Sequence, residues 1–392
     1  MDALERCRDP VHRQAKQIAQ TPQFVVGVSF LQGRDRNAGD ALLWPRRNTW
    51  PMRALVLHGP RDARVEEVQP PRADAGQVVV DVERVGICGT DAEFYTGEMA
   101  YLHQGHANYP LRIGHEWAGR VTAMGEGVDP SWMGKRVTSD TMLGCGRCDR
   151  CRRGRHHLCQ SRSEIGIRGD WHGALAEQLV VPASALHEIP ESVSLAAAAL
   201  VEPGANALRT VNAAALDPGQ RLLIFGPGTI GLLAARFAIA RGVEVRIVGV
   251  GSTSLELARS MGVHEAMLLS ELEASPSSTF HAVIDATNDA EIPAATLRWV
   301  EPGGRVILIG LAGRESLIDT REVALQELTV IGILGGSAAI DQTIAAYADA
   351  RVVPDALVSE VIGLEDVASR LEGERRANAG PGPKVQVDPR MA

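Results

Sequence analysis

The sequence has few aromatic residues, no excess of positive charge and no long apolar run, and each shortage argues against a class of protein. It contains no stretch of about 18 consecutive apolar residues, so no transmembrane helix is expected. A nucleic-acid-binding protein needs a basic face to neutralise phosphates, and the net charge of −8 does not favour that class. Only 4% of residues are aromatic against 40 glycines, which favours many tight turns over an aromatic-rich binding surface.

Lysine is also scarce, occurring only at Lys16, Lys135 and Lys384, so that the basic residues are almost all arginine. This bias is interpreted as an effect of genome composition without mechanistic weight. The first residues, MDALERCRDP, mix acids and arginines and are not followed by an apolar segment and cleavage site. A secretory signal is therefore not expected, and the predicted location is the cytoplasm.

A chain of 392 residues is long enough for two domains. Residues 1–51 lack periodicity and are predicted to form an extension. Three interpretations of this extension are open: a flexible segment, a structural cap on the first domain, or extra residues before a true first residue at Met52. From Met52, short alternating segments separated by proline and glycine predict the strands of an antiparallel, barrel-like domain.

The pattern changes near residue 204. Buried strands such as RLLIF and HAVIDAT alternate with helical stretches such as TIGLLAARFAIARG, which predicts a parallel, doubly wound sheet across residues 204–338. From residue 339 the tail adds a helix, AIDQTIAAYADA, and a closing strand, PKVQVDP. The predicted class is therefore α/β, with one mostly β domain and one doubly wound domain.

Four of the six cysteines lie within fifteen residues, at Cys145, Cys148, Cys151 and Cys159. Four thiolates can surround one Zn²⁺ tetrahedrally and leave no position for water, so this lobe, residues 144–160, predicts a structural zinc site. The spacing is also compatible with a zinc-ribbon binding module, and the alternative of four unrelated thiols is less favoured.

A glycine motif, GPGTIG, lies between the strand RLLIF and an apolar helix. Gly226 permits the turn, Gly228 lets a pyrophosphate approach the backbone, and Gly231 allows close helix–strand packing, while Thr229 and Ile230 open the helix. The exposed N–H groups of the helix terminus then face the phosphates. Dinucleotide binding is predicted here, and the alternative is an ordinary glycine-rich turn.

A third signal is dispersed over the segments GICGTD, GHE and VEP. Cys88, His115 and a carboxylate, Glu116 or Glu202, could hold a zinc ion that keeps one position open for substrate or water. Taken singly, His115 is better explained as a core histidine and Cys88 as a small buried residue. The metal-binding interpretation of the three segments is supported by their occurrence in one chain with the cysteine and glycine motifs.

In this order, GxCGTD, GHE, the four-cysteine lobe, EP and GxGxxG, the sequence resembles the zinc-containing medium-chain dehydrogenases over roughly residues 52–390. VEPGANAL and GICGTDAEFYTG are more similar to the threonine and sorbitol dehydrogenase branches than to the liver-type alcohol dehydrogenases. The resemblance implies a GroES-like catalytic domain, residues 52–203 and 339–392, packed against a Rossmann domain, residues 204–338. It also implies two zinc ions per chain, a nicotinamide cofactor, a small alcohol or ketone substrate, and a homodimer or homotetramer.

The resemblance further implies the role of each site residue. Cys88 and His115 would bind the catalytic zinc, with Glu202 or Glu116 as the remaining ligand. Asp91 would accept a hydrogen bond from His115, and Thr90 would take the proton of the zinc-bound alcohol. Zinc would stabilise the alkoxide, which transfers hydride to the nicotinamide.

Two positions depart from the family pattern. Where the resembling enzymes have a histidine that ends a proton relay, this chain has Glu93, which could relay protons, recognise substrate or be a solvated surface residue. After the second Rossmann strand, IVGVGSTS lacks the acid that usually binds the adenosine ribose. Gly249, Gly251, Ser252 and Thr253 leave room for a 2′-phosphate, so NADP is expected to be favoured over NAD, and use of both cofactors is the alternative.

The function expected from the sequence is the zinc-dependent oxidation of a secondary alcohol, polyol or amino alcohol, and two other functions are alternatives to it. A zinc-free quinone or enoyl reductase would share the scaffold but lack GHE and the four cysteines. A non-catalytic zinc- or NAD(P)-binding protein would not need an open zinc site beside Thr90. Tyr101, His103, Trp117 and Trp171 are candidates for the substrate pocket or for packing.

Overall fold

The computed structural model describes residues 51–274 and 279–391. The predicted extension therefore lies outside the described residues, except for its last residue. The described chain begins with an antiparallel pair, β1 (Met52–Gly59) and β2 (Asp62–Val68). In β1 the buried side chains Met52, Ala54 and Leu55 to Leu57 face the core, as the apolar segment MRALVLHG predicts.

Seven strands form the larger sheet, ordered β16–β17–β3–β4–β5–β9 with β8 also paired to β3. Neighbouring strands in this sheet run antiparallel, except for the parallel pair β16–β17. The strands are β3 (Gln77–Gly86), β4 (Glu116–Met124), β5 (Arg136–Ser139), β8 (Gln178–Pro182), β9 (Leu186–Glu188), β16 (Val358–Ile362) and β17 (Lys384–Val387). Between β5 and β8 lies a short pair, β6 (Met142–Leu143) and β7 (Ser163–Glu164), beside the four cysteines.

Six parallel strands form the second sheet, ordered β12–β11–β10–β13–β14–β15. They are β10 (Arg221–Phe225), β11 (Glu244–Gly249), β12 (Glu265–Leu268), β13 (Phe280–Asp285), β14 (Val300–Leu308) and β15 (Thr329–Gly332). The order reverses between β10 and β13, and in open sheets of this kind ligands bind at such a point, beyond the carboxyl ends of the strands. The predicted parallel sheet and the predicted antiparallel sheet are both confirmed.

Helices cover the sheets and connect them. The α-helices are α1 (Gly89–Thr96), α2 (Ala100–His103), α3 (Asp149–Arg152), α4 (Leu195–Ala199), α5 (Val201–Ala214), α6 (Thr229–Ile239), α7 (Ser252–Ser260), α8 (Leu269–Ala274), α9 (Ile292–Thr296), α10 (Thr320–Leu325), α11 (Ile340–Ala348) and α12 (Val367–Leu371). Short 3₁₀ turns span residues 130–132, 156–158, 183–185, 337–339, 355–357 and 364–366. In the described ranges, none of the helices has the length and apolar character needed to cross a membrane.

Helix α5 is the main element between the two sheets. It packs against β4 of the first sheet and against β14 and α6 of the second. Its buried residues, including Ala207, Leu208 and Val211, belong to the same apolar core as Leu222 and Ile224 of β10. The sequence predicted the domain boundary at residue 204, which lies within this helix. The helix is continuous there, and its small and apolar residues pack against elements of both sheets.

Candidate metal and cofactor sites

The segment after β3 places Cys88 at the start of α1. Asp91, in the first turn of that helix, accepts a hydrogen bond from the Cys88 N–H at 2.9 Å, which satisfies one of the free donors of the helix terminus. Its other carboxylate oxygen accepts the Gly114 N–H at 3.1 Å. The fully buried Asp91 therefore fixes the Cys88 segment to the segment that carries His115.

His115 and Glu116 come together with Cys88 because β4 pairs with β3. The register places Glu116 opposite Gly86, two residues before Cys88. Ligand atoms of Cys88, His115 and Glu116 all lie within 4.8 Å of one another, as they must to share a single metal ion. The sequence signals GIC and GHE thus meet in space, across neighbouring strands.

The charges around His115 also suit a cation. Burial alone would lower its pKa, but the negative charges of Asp91 and Cys88 outweigh burial and raise the pKa well above its usual value. The distance from His115 Nδ1 to Asp91 Oδ1 is 3.6 Å, so the predicted hydrogen bond is not formed at this separation. Within the described ranges, Nδ1 of this buried ring has no hydrogen-bond partner. An imidazole beside a cysteine sulfur and a carboxyl group is a donor set that Zn²⁺ fits.

Glu202 lies in the first turn of α5 and outside the 4.8 Å group of Cys88, His115 and Glu116. Burial, with the negative charge of Glu116 as a further cause, raises its pKa to about 7. Its Oε1 accepts a hydrogen bond from Asn206 Nδ2 at 2.9 Å, one helical turn further along. Of the two candidate carboxylates, Glu116 is the one that groups with the cysteine and the histidine within 4.8 Å, whereas the charge of Glu202 also acts on His115.

Glu116 has a partner that the sequence interpretation missed. Both of its carboxylate oxygens accept from Lys384 Nζ, at 2.7 and 2.9 Å, and the side chains are only 5% and 2% exposed, for lysine and glutamate respectively. Lys384 belongs to the closing strand β17. One signal in the sequence could have indicated this contact. Lysine occurs only three times in the chain, and Lys384 lies in a short apolar strand on the same face as the buried Gln386, so a buried lysine with a partner could have been expected there.

Thr90 and Glu93 both lie on α1, downstream of Cys88. Thr90 is half-buried, and its hydroxyl makes no hydrogen bond to any other residue that the structure describes. Glu93 lies on the more exposed side, where partial burial and the neighbouring charge of Glu98 raise its pKa. The structure places both residues in the helix that starts at Cys88.

The four lobe cysteines converge on one point. Their sulfurs are separated by 4.0 Å (Cys145 to Cys151), 3.5 Å (Cys148 to Cys151) and 3.8 Å (Cys148 to Cys159), and none is disulfide-bonded. A tetrahedral zinc with Zn–S bonds of about 2.3 Å separates its sulfurs by about 3.8 Å. Backbone N–H groups of Arg147 and Cys148 lower the pKa of the Cys145 thiol to about 6, which favours the thiolate that a metal binds.

The glycine motif forms the turn from β10 into α6. Gly226 has a φ of +97°, and a Cβ there would lie 2.8 Å from the Ala286 oxygen, so the turn requires glycine. A Cβ on Gly231 would lie 1.9 Å from the Gly226 oxygen, which explains the close helix packing. Gly228, by contrast, faces open space immediately before Thr229 and Ile230 at the helix N-terminus. An approaching phosphate group needs that space.

A second turn, from β11 into α7, holds the predicted ribose-binding position. Gly251 precedes the first helical residue, Ser252, and a Cβ there would meet nothing closer than the Ser254 oxygen at 3.7 Å. At Gly249 a Cβ would lie 2.6 Å from Pro227. The exposed Gly251, Ser252 and Thr253 thus form an open helix terminus without an acid, whereas Gly249 is a packing glycine.

Two cavities lie near these elements. One, of about 460 Å³, lies beyond the carboxyl ends of β13 to β15, lined among others by Asp285, Leu308 and Ile333. The other, of about 640 Å³, is lined by Asp140, Trp171 and Ser337 together with part of the cysteine lobe. Asp140 accepts a hydrogen bond from Ser337 at 2.8 Å, so this cavity joins the segment after β5 to the segment after β15.

The four candidate pocket residues separate in the structure. Trp171 lines the larger cavity, whereas Trp117 is buried in the core of the antiparallel sheet. Tyr101 is bound by Glu164 and Arg162, and His103 bonds to the Gly97 carbonyl oxygen. Of the four, only Trp171 lines either of the two cavities described here.

Comparison with known families agrees with this geometry. The profile of the alcohol dehydrogenase GroES-like domain matches residues 74–191, and that of the zinc-binding dehydrogenases matches residues 229–350. In sequence, the chain is 32% identical to an L-threonine 3-dehydrogenase of Idiomarina loihiensis over 295 residues, which is 72% of this chain and 84% of that protein.

Solved structures show the same fold. A putative zinc-binding dehydrogenase from Sinorhizobium meliloti, bound to NADP, superposes with a TM-score of 0.79 at 27% identity. An alcohol dehydrogenase from Escherichia coli CFT073, complexed with NADH, also gives 0.79, at 25% identity. Each comparison covers 86% of this chain and 99% of the other, and the predicted GroES-like and Rossmann parts are thereby confirmed.

Proposed function

The chain belongs to the zinc-dependent medium-chain dehydrogenases, in the branch that contains the threonine dehydrogenases, and from this we propose that Cys88 and His115 form its catalytic metal centre. The enzyme is a zinc-dependent alcohol or polyol dehydrogenase. Its substrate is a secondary alcohol, polyol or amino alcohol, oxidised to the ketone or formed from it. The observation that carries this proposal is the convergence of Cys88, His115 and Glu116 within 4.8 Å, beside the buried carboxyl groups of Asp91 and Glu202.

The side chains around the centre have separate tasks. A bound Zn²⁺ supplies the Lewis acidity that lowers the pKa of an alcohol hydroxyl. Thr90 relays the hydroxyl proton, accepting it while its own hydroxyl proton passes on towards solvent, and Asp91 keeps the Cys88 and His115 segments in register. Glu93 passes the proton towards solvent or recognises a polar group of the substrate. These assignments are supported by the position of the four residues along the chain: Cys88 directly precedes α1, and Thr90, Asp91 and Glu93 lie on that helix.

A substrate screen tests the proposed activity directly. Secondary alcohols, polyols and amino alcohols, L-threonine among them, are offered with NAD or NADP while the absorbance of the reduced nicotinamide is followed. Turnover of at least one of these classes is expected, with loss of activity when a chelator removes metal. Full activity in protein shown to be free of metal would contradict the proposed centre.

The cofactor is proposed to be NADP in preference to NAD. Support comes from the turn after β11, where Gly251, Ser252 and Thr253 present small residues and a free helix N-terminus and no carboxylate. Helix N-termini bind phosphate, whereas an acid here would repel a 2′-phosphate. The nicotinamide half would then extend past the Gly226 turn to the cavity beside Asp285.

Gly251→Asp is expected to shift the kcat/KM ratio towards NAD by about 10- to 100-fold, because charge-assisted hydrogen bonds contribute about 1.5–3 kcal/mol. The position accepts a side chain without a clash, and its φ of −121° suits aspartate. Steady-state kinetics with both cofactors measure the shift. A wild-type preference for NAD would show that the missing acid was misinterpreted.

Two matched variants separate charge from space. Gly251→Asn adds the same volume without charge and is expected to shift the ratio less than Gly251→Asp does. Gly249→Asp places the same charge two residues earlier, where its Cβ would meet Pro227, and is expected to reduce stability rather than to change cofactor preference.

Two zinc ions per chain are proposed, the second in the cysteine lobe. Cys151→Ser is expected to release about one equivalent of zinc and to lower the thermal midpoint by several degrees, because a structural zinc contributes to folding. Metal analysis and thermal unfolding measure the two effects. Cys88→Ser provides the contrast, since it should lose the other zinc with little change in the midpoint. A disulfide-paired, metal-free lobe in the purified protein would contradict the assignment.

A homodimer or homotetramer is proposed as the assembly. Strand β15 is an edge of the parallel sheet, and Val330 on it and Leu325 and Leu334 near it are exposed. Unpaired apolar edges are sites at which another chain can add. Light scattering or sedimentation of the purified protein distinguishes these states from a monomer.

A further inference from the structure

Lys384 contacts Glu116 of the proposed metal centre and belongs to β17, the last strand among the described residues, far along the chain from GIC and GHE. Its ammonium group donates to both oxygens of Glu116 and to the carbonyl oxygen of Ile87, the residue before Cys88. All three contacts are between 2.7 and 2.9 Å. One lysine therefore contacts both of the segments that carry Cys88, His115 and Glu116.

The Glu116 carboxylate occupies space that is available only because residue 86 is glycine. Gly86 lies opposite Glu116 in the β3–β4 pair, and a Cβ at Gly86 would lie only 2.2 Å from Glu116 Oε2. A buried carboxylate needs compensation for its lost hydration, and here the compensation is a buried ammonium group. On its other side the same carboxylate lies within 4.8 Å of the Cys88 and His115 ligand atoms.

We propose that Lys384 acts on the metal centre through Glu116: it pairs with the Glu116 carboxylate beside Cys88 and His115 and competes with the metal ion for it. The inference builds on the proposed metal centre. When Glu116 leaves the metal, Lys384 keeps it as an ion pair rather than an unpaired buried charge. When Lys384 is removed, the metal becomes the remaining cation for Glu116 and is held more tightly.

The test is the rate at which zinc passes from the holoenzyme to a chromogenic chelator. Lys384→Met is expected to slow release from the Cys88 site by about tenfold or more, which corresponds to about 1.4 kcal/mol. The phase that belongs to this site is identified by its absence in Cys88→Ser. Lys384→Gln keeps a donor without the charge and should slow release in the same direction, so the test survives if the methionine variant does not fold.

A double-mutant cycle tests whether Lys384 acts through Glu116. In Glu116→Gln, the further change Lys384→Met is expected to alter the release rate by less than about threefold, because the carboxylate for which both cations compete is gone. Lys384→Arg should restore a rate close to wild type. Lys135→Met is the matched control, since Lys135 makes an exposed pair with Glu188 on the surface.

The outcomes are distinct. Unchanged or faster release in both Lys384→Met and Lys384→Gln overturns the inference, and so does an equal slowing in the Glu116→Gln background, which would assign the effect to charge alone. If wild type shows no zinc phase that depends on Cys88, the proposed metal centre itself fails, and the inference fails with it.

Discussion

Replacing His115 with alanine is expected to lower kcat/KM by at least about 10³-fold while dinucleotide binding stays close to wild type. A metal ion contributes several kcal/mol to stabilising the developing alkoxide, and each 1.36 kcal/mol corresponds to a tenfold change in rate. The glycine motif follows β10 of the parallel sheet, whereas His115 directly precedes β4 of the antiparallel sheet, so the cofactor contacts should be retained. Cys88→Ser is expected to give the same pattern.

The measurement combines steady-state rates with titration of the reduced cofactor. His58→Ala is a suitable control, because His58 is a surface histidine on β1 paired with Glu66. It should leave both activity and metal content unchanged. Normal turnover in His115→Ala would contradict the proposed mechanism. Loss of dinucleotide binding would instead mean that the substitution damages the fold.

The second large effect is expected at Thr90. Thr90→Val keeps the shape of the side chain but removes the hydroxyl that accepts the substrate proton, which should cost about 10²- to 10⁴-fold in kcat. Thr90→Ser retains the hydroxyl and should recover most of the rate. Because Thr90 has no other hydrogen-bond partner among the described residues, the valine should fold normally, as the thermal midpoint will show. A rate in Thr90→Val near wild type would remove Thr90 from the mechanism.

Glu93→Gln distinguishes the roles open to the neighbouring carboxylate. A changed pH–rate profile with unchanged substrate preference indicates a proton relay, and a changed preference alone indicates substrate recognition. Partial burial and Glu98 raise the pKa of Glu93, so a relay through this residue loses its base form as the pH falls through that raised pKa. No change in either property means that Glu93 is a surface residue.

The sequence by itself determined the two sheets, the family and the motifs that carry chemistry. Alternating residues in MRALVLHG and QVVVDVERVG specify half-buried strands, and the buried segment RLLIF followed by GPGTIG specifies a parallel strand and its turn. The lobe cysteines lie within fifteen residues, so their convergence needs only local geometry. Local spacing was sufficient wherever the interacting residues are neighbours in the chain.

Only the tertiary structure decided which distant residues share a site. Lys384 follows Glu116 by 268 residues, and their contact depends on β17 pairing with β3, which no local pattern specifies. The tertiary structure, through the pairing of β4 with β3, also groups Glu116 with Cys88 and His115 within 4.8 Å. It also separated Gly249, which packs on Pro227, from the open Gly251. The physical reason is that periodicity reports which face of an element is buried, whereas the identity of a buried polar partner depends on how the strands are ordered and registered.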